Sequence, residues 1–193
     1  MNIFCKNNNY GYLEIVTGPM FSGKTTNLIE IYQECREKNI NVSAINYMFD
    51  KRYSNTMIAS HDNKQIPCTF VTNLKDFALE KEDSINDIEV ILINEGQFFP
   101  DINYYVQYWV EELHIKVFIA ALDGDFQRKP FGEFLNLLPL CDRFTKLRAN
   151  CNNCKSTNAI FSHRFSDEKE QVVIGGNNKY IPLCRKCYLA TQK

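Results

Sequence analysis

Gly18-Pro19-Met20-Phe21-Ser22-Gly23-Lys24-Thr25 constrains this chain more than any other stretch, because it matches G-x-x-x-x-G-K-[ST] between an apolar run and a helical pattern. Upstream, Tyr12 to Thr17 reads as a strand. Downstream, Leu28, Ile31, Tyr32 and Cys35 recur at the i, i+3, i+4, i+7 spacing of one helix face that ends near Asn39. Strand, Gly-rich turn and helix in that order aim backbone N–H groups at phosphate oxygens, and the helix dipole adds about half a positive charge there. Lys24 then bridges the β- and γ-phosphates of a nucleoside triphosphate, and Thr25 offers its hydroxyl to Mg²⁺.

Three further runs, Val42 to Ile45, Val90 to Ile93 and Val117 to Leu122, are continuously apolar rather than alternating, as parallel strands covered on both faces are. The predicted fold class is α/β, an open parallel sheet with ligands at the carboxyl ends of its strands. From about Ala149 the character changes to cysteine pairs, polar residues, a β-rich run Gln171 to Ile174 and the turn signal Gly175-Gly176. The expected division is a core over 1–148 and a small second unit over 149–193.

Composition narrows the function. With 193 residues, 45% hydrophobic and 23% charged, the chain is globular rather than fibrous or disordered. Lys plus Arg number 22 against 23 acidic residues, and a net charge of −1 leaves no electrostatic footprint for a nucleic-acid backbone. No apolar run approaches the roughly 18 residues of a membrane span, and the start MNIFCKNNNYGYLEI has no signal-peptide pattern. The expectation is a cytoplasmic protein with neither nucleic acid nor membrane as partner.

The run Val90-Ile91-Leu92-Ile93 closes in Asn94-Glu95, at the strand end where a phosphate-loop protein normally carries an acid. A carboxylate there can take the proton of an attacking hydroxyl, which makes Glu95 the predicted general base. Phe98 follows this strand end, and Phe126 and Phe131 follow the next one; three aromatics beside a phosphate site suit a flat slot for a base.

Four of the eight cysteines, Cys5, Cys35, Cys68 and Cys141, are scattered and read as small apolar residues or surface thiols. The other four form Cys151-x-x-Cys154 and Cys184-x-x-Cys187, the ligand set of a closed structural Zn²⁺ site. Disulfides or a redox pair compete, against the expected compartment. Zinc at both ends would tether the segment between the pairs as a long loop or hairpin.

GPMFSGKTT, NEGQFFPD, ALDGDFQRKPFG, NLLPL, CNNC, VIGGNNKY and CRKCY, in this order over nearly the whole chain, resemble the type II thymidine kinases, the cytosolic and large-DNA-virus class with a zinc-bound lasso. The resemblance implies a RecA-like core, a lasso closing over the nucleoside, and transfer of the γ-phosphoryl of ATP to the 5′-hydroxyl of thymidine. It implies Glu95 as base, Lys24 and Arg52 beside the transferring group, Asp50 with Arg52, and Asn94 and Gln97 near the nucleotide. Met20, Phe98, Phe126, Phe131 and Tyr180 match the thymine pocket. Backbone of Gln171, Val172, Val173, Ile174 and Gly175 matches the base-binding lasso, with Ser162 nearby. Inhibition by dTTP and a homotetramer are implied as well.

The chain departs from that family at Asn94, where an aspartate is usual, at Asp125, usually uncharged, at Gln171, usually small and apolar, and by one extra residue after Cys154. Asp125, on the next strand end, is expected to make good the charge missing at Asn94. Two other classes compete: a nucleic-acid-dependent motor or zinc-ribbon binder, opposed by the neutral charge, and a nucleotide-binding regulator without catalysis.

Overall fold

A computed structural model describes residues 10–50, 57–60 and 64–191. In chain order its strands and helices are β1 (Tyr12–Thr17), α1 (Lys24–Glu37), β2 (Val42–Tyr47), β3 (Met57–Ala59), β4 (Gln65–Pro67), β5 (Thr69–Val71), α2 (Leu74–Glu80), β6 (Val90–Asn94), α3 (Ile102–Glu111), β7 (Lys116–Ala121), β8 (Arg143–Lys146), β9 (Phe161–Arg164), β10 (Tyr180–Leu183) and α4 (Arg185–Ala190).

The central sheet has 6 strands in the order β5-β2-β6-β7-β1-β8. All its pairings are parallel, with β1 in register with β7 from Tyr12↔Lys116 to Thr17↔Ala121. The α/β class with a parallel sheet is therefore as expected. Continuous apolar runs make sense here because successive side chains serve opposite faces. Ile91, Ile93, Val117 and Ile119 pack with Phe77, Phe99 and Trp109 on one face. Val90, Leu92, Phe118 and Ala120 pack with Leu28 and Ile29 of α1 on the other. Helix α1 stops at Glu37, slightly short of the expected end, and Asn39 turns left-handed (φ 54°) as the Ile40 N–H closes on the Cys35 carbonyl.

Ala149, Cys151, Ala159, Leu183, Cys184 and Tyr188 form a separate small apolar cluster, and β9 pairs antiparallel with β10 beside it. The expected strand over Gln171 to Ile174 does not form: this stretch is irregular. Two of its carbonyls go to side chains instead, that of Gln171 to Arg164 and that of Val173 to the Tyr180 hydroxyl. Among the described residues no helix is long and apolar enough to cross a membrane.

Candidate active site

The phosphate loop leaves the buried end of β1 and enters α1 through Gly23, whose φ of 89° only glycine adopts without strain. Gly18 is equally constrained: its φ is 140°, and a Cβ would lie 2.7 Å from the Leu147 carbonyl oxygen. Phe21 holds a left-handed φ of 65° between them. Lys24 Nζ donates to the carbonyls of Gly18 (3.1 Å) and Pro19 (2.8 Å), folding the ammonium over the loop. Met20, Phe21, Ser22, Gly23, Lys24 and Thr25 line a cavity of about 550 Å³ with Asn94 and Glu95.

Thr25 Oγ1 donates to Asn94 Oδ1 at 3.3 Å, and Asn94 Nδ2 donates to Asn46 Oδ1 at 3.0 Å. The hydroxyl and the amide oxygen are hard oxygen donors at the mouth of the cavity, the ligand chemistry Mg²⁺ takes. Glu95 follows at the strand end with φ 56° and ψ 42°. A left-handed conformation costs a residue with a Cβ about 1–2 kcal/mol, and the turn it produces sends the chain straight into the short helix Gly96–Phe98.

A second, narrower cavity adjoins the first. Met20, Asp50, Glu95, Phe98, Phe126 and Phe131 line it from the sheet side, and Ser162, Gln171, Val172, Val173, Ile174, Gly175 and Tyr180 from the C-terminal side. Phe98 stacks on Tyr47 at 4.7 Å and meets Phe131 edge-on at 5.5 Å, giving the slot flat apolar walls. Met20, Glu95, Leu122 and Tyr180 belong to both cavities, so Glu95 stands where the two join.

Nearly all the expected site residues are thus brought together. Arg52 lies outside the described residues. Gln97 lines neither of these cavities; buried behind Glu95, it donates to the carboxylate. Asp125, expected to make good the charge missing at Asn94, lines the narrower cavity rather than the one that Thr25 and Asn94 line, and its oxygens are engaged there. Oδ1 of Asp125 accepts the N–H groups of Gln127 (2.8 Å) and Lys129 (2.9 Å), and Oδ2 accepts from Gln171 Nε2 at 2.9 Å. Its carboxylate closes a turn and binds the Gln171 side chain. Two of the departures from the family pattern, Asp125 and Gln171, are bonded to each other.

Sequence reasoning missed Arg164, which lines the slot from β9. Nothing local marks it, since an arginine ending a short strand reads as a solvated charge.

The cysteine pairs converge. Sγ atoms of Cys151, Cys154, Cys184 and Cys187 all lie within 4.8 Å of one another, and those of Cys154 and Cys184 are 3.7 Å apart. Tetrahedral Zn²⁺ with sulfur at about 2.3 Å needs sulfurs about 3.8 Å apart, whereas a disulfide needs about 2 Å. Burial raises the Cys151 thiol, but N–H groups of Cys184, Cys154 and Asn153 outweigh it and lower the pKa to about 6. Burial and the neighbouring thiols push Cys187 up to about 12. Four thiols this close resist losing all their protons unless a cation joins them, so the donor set fits zinc.

An acid standing between a roomy phosphate-loop cavity and a flat aromatic slot is what an ATP-dependent kinase requires, and fold and site assign the chain to that class. The family model described as thymidine kinase matches residues 11–188. Thymidine kinase of Yaba monkey tumor virus (strain VR587) is 42% identical over 184 residues, 94% of this chain and 97% of the viral protein. Those of sheeppox virus (strain KS-1) and vaccinia virus (strain Ankara) are 41% and 42% identical over 180 and 183 residues, covering 93% and 95% of this chain and 98% and 99% of theirs. The chain belongs to the thymidine kinase family.

Proposed function

We propose that the chain moves the γ-phosphoryl of ATP to the 5′-hydroxyl of thymidine, giving dTMP, with the two substrates in the two adjoining cavities. The observation that carries this reading is Glu95 in the wall common to both. A hydroxyl entering from the slot meets the carboxylate just where a γ-phosphate entering from the loop cavity would meet it. Loop amides and Lys24 hold the triphosphate, and Glu95 takes the hydroxyl proton. Thr25 and Asn94 would hold Mg²⁺, which when bound neutralises charge on the β- and γ-phosphates. Arg52 and Asp50 attend the 5′-oxygen.

Phe98, Phe126, Phe131 and Met20 take the apolar face and methyl of thymine, while lasso backbone from Gln171 to Gly175 takes its polar edge. Tyr180 supports that backbone through the Val173 carbonyl, and Ser162 holds the Met20 N–H. The slot is narrow, about 40 Å³, so the lasso lifts to admit a nucleoside and settles over it, excluding water. Residues 149–193 act as a unit held by zinc on the four cysteines. The dTTP molecule, with its base in the slot and phosphates on the loop, inhibits. A homotetramer in the cytoplasm completes the reading; light scattering tests the assembly.

The deciding experiment is a coupled assay with ATP, Mg²⁺ and a nucleoside panel. Thymidine is expected to be the best acceptor, deoxyuridine weaker, and deoxycytidine and purine nucleosides poor, because a closed pocket with unmatched polar groups rejects the wrong base. Equal rates on deoxycytidine and thymidine would overturn the pocket assignment.

A further inference from the structure

Arg164 is 5% exposed, yet among the described residues no carboxylate is one of its hydrogen-bond partners. Its Nε donates to the Tyr180 hydroxyl at 3.0 Å. Nη1 donates to the carbonyls of Glu168 (3.0 Å) and Glu170 (2.6 Å), and Nη2 to that of Gln171 (3.0 Å). The guanidinium carbon lies 3.8 Å over the Phe126 ring and 5.2 Å from the Tyr180 ring. Tyr180 passes the arrangement on, its hydroxyl donating to the Val173 carbonyl at 2.7 Å.

Burying a guanidinium without an anion is costly unless its donors are satisfied. Here the donors are spent on one segment: three carbonyls between Glu168 and Gln171 directly, and a fourth, at Val173, through Tyr180. These are the residues that lead into and form the far wall of the aromatic slot. The planar fork of an arginine reaches several carbonyls at once, which the point charge of a lysine does not. The same plane lies on Phe126, so one side chain sets the spacing between a ring on the sheet side and the backbone opposite it.

We infer that Arg164 is the positioning residue of the nucleoside site, a buried cation that sets the lasso backbone and Phe126 at the separation a base requires. The inference rests on the thymidine reading of the slot. Arg164 touches no reacting atom; it acts through the Gln171 to Val173 backbone, Tyr180 and Phe126. None of these hydrogen bonds goes to the phosphate loop, so its loss should fall chiefly on the nucleoside.

The test compares Arg164→Met and Arg164→Lys with the parent in KM for thymidine, KM for ATP and kcat, with zinc content and limited proteolysis measured on the same samples. Losing hydrogen bonds made by a charged donor should raise the thymidine KM roughly ten- to hundredfold in Arg164→Met. Lysine should fall between that and the parent. ATP KM, zinc content and saturating kcat should stay within about threefold, with faster cleavage between residues 168 and 179. A thymidine KM within twofold of the parent, or an equal loss toward ATP and zinc, overturns the inference. Failure of the thymidine reading is told apart by a parent enzyme that leaves thymidine untouched, which removes the inference with it. If neither variant folds, the Arg164 Nε–H resonance of the unmodified protein decides: it should exchange slowly with solvent and shift on addition of thymidine but not of ATP. Fast exchange, or indifference to thymidine, overturns the assignment.

Discussion

Gln97 Nε2 donates to Oε2 of Glu95 at 2.5 Å, while Oε1 of the same amide accepts the Leu122 N–H at 2.9 Å. The end of β7 thus aims Gln97, and Gln97 aims the acid at the end of β6. Gln97→Leu should cut kcat about ten- to hundredfold, the worth of one hydrogen bond to a charged group, and leave the thymidine KM nearly unchanged. Gln97→Glu should be worse, because it sets two carboxylates against each other. Steady-state kinetics on both variants check this, and a Gln97→Leu enzyme with parental kcat would refute it.

Glu95→Gln should lower the rate by about 10² to 10⁴, the span of a lost general base, with ATP binding kept. Lys24→Ala should harm both, since its ammonium lies over the loop itself. Equilibrium ATP binding measured beside turnover separates the two. A Glu95→Gln enzyme within a few-fold of the parent would move the base elsewhere, with Asp50 in the slot wall the next candidate.

Asn94→Asp and Asp125→Thr should act on different substrates. At residue 94 an aspartate would lose the amide donor to Asn46, so the Asn46 amide must turn round, and the apparent Mg²⁺ requirement should fall. Asp125→Thr should spare the Mg²⁺ titration and raise the thymidine KM about three- to tenfold, because Gln171 loses its carboxylate acceptor. The double variant should be additive; rescue of Asp125→Thr by Asn94→Asp would restore the view that the two residues share one charge.

About one Zn²⁺ per chain should be found by elemental analysis of undenatured protein. Cys184→Ser leaves three ligands, and nucleoside binding should weaken well before the core over 1–148 unfolds, because Cys184 and the start of α4 close the hairpin rather than the sheet. Thermal unfolding and thymidine binding on one sample would show the order; simultaneous loss of both would refute it.

The phosphate loop and the paired cysteines were legible in the sequence because their chemistry is local: glycines at turns, lysine one step on, cysteines with two residues between them. The buried strands were legible because parallel strands with both faces covered need unbroken apolar runs. What stayed hidden depends on partners far along the chain. Gln171 to Ile174 has strand composition, but Arg164 and Tyr180 claim two of its carbonyls, and no window of sequence contains that competition. Asp125 read as a spare charge near the phosphates, whereas its lone pairs belong to its own turn and to a residue on the lasso. Arg164 itself gave no signal, since burial turned an ordinary surface residue into a hub.

Ser162 accepts a hydrogen bond from the Met20 N–H at 2.9 Å, so the phosphate loop is bonded by its own backbone to the hairpin that carries the lasso. A displacement of either element would therefore have to break or carry along this bond. If ATP and a nucleoside fill the two cavities as proposed, linkage makes any coupling between them reciprocal: whatever factor ATP adds to the grip on the nucleoside, the nucleoside returns to ATP. A kinase built this way would release its two products in a preferred order, although each cavity taken alone imposes none.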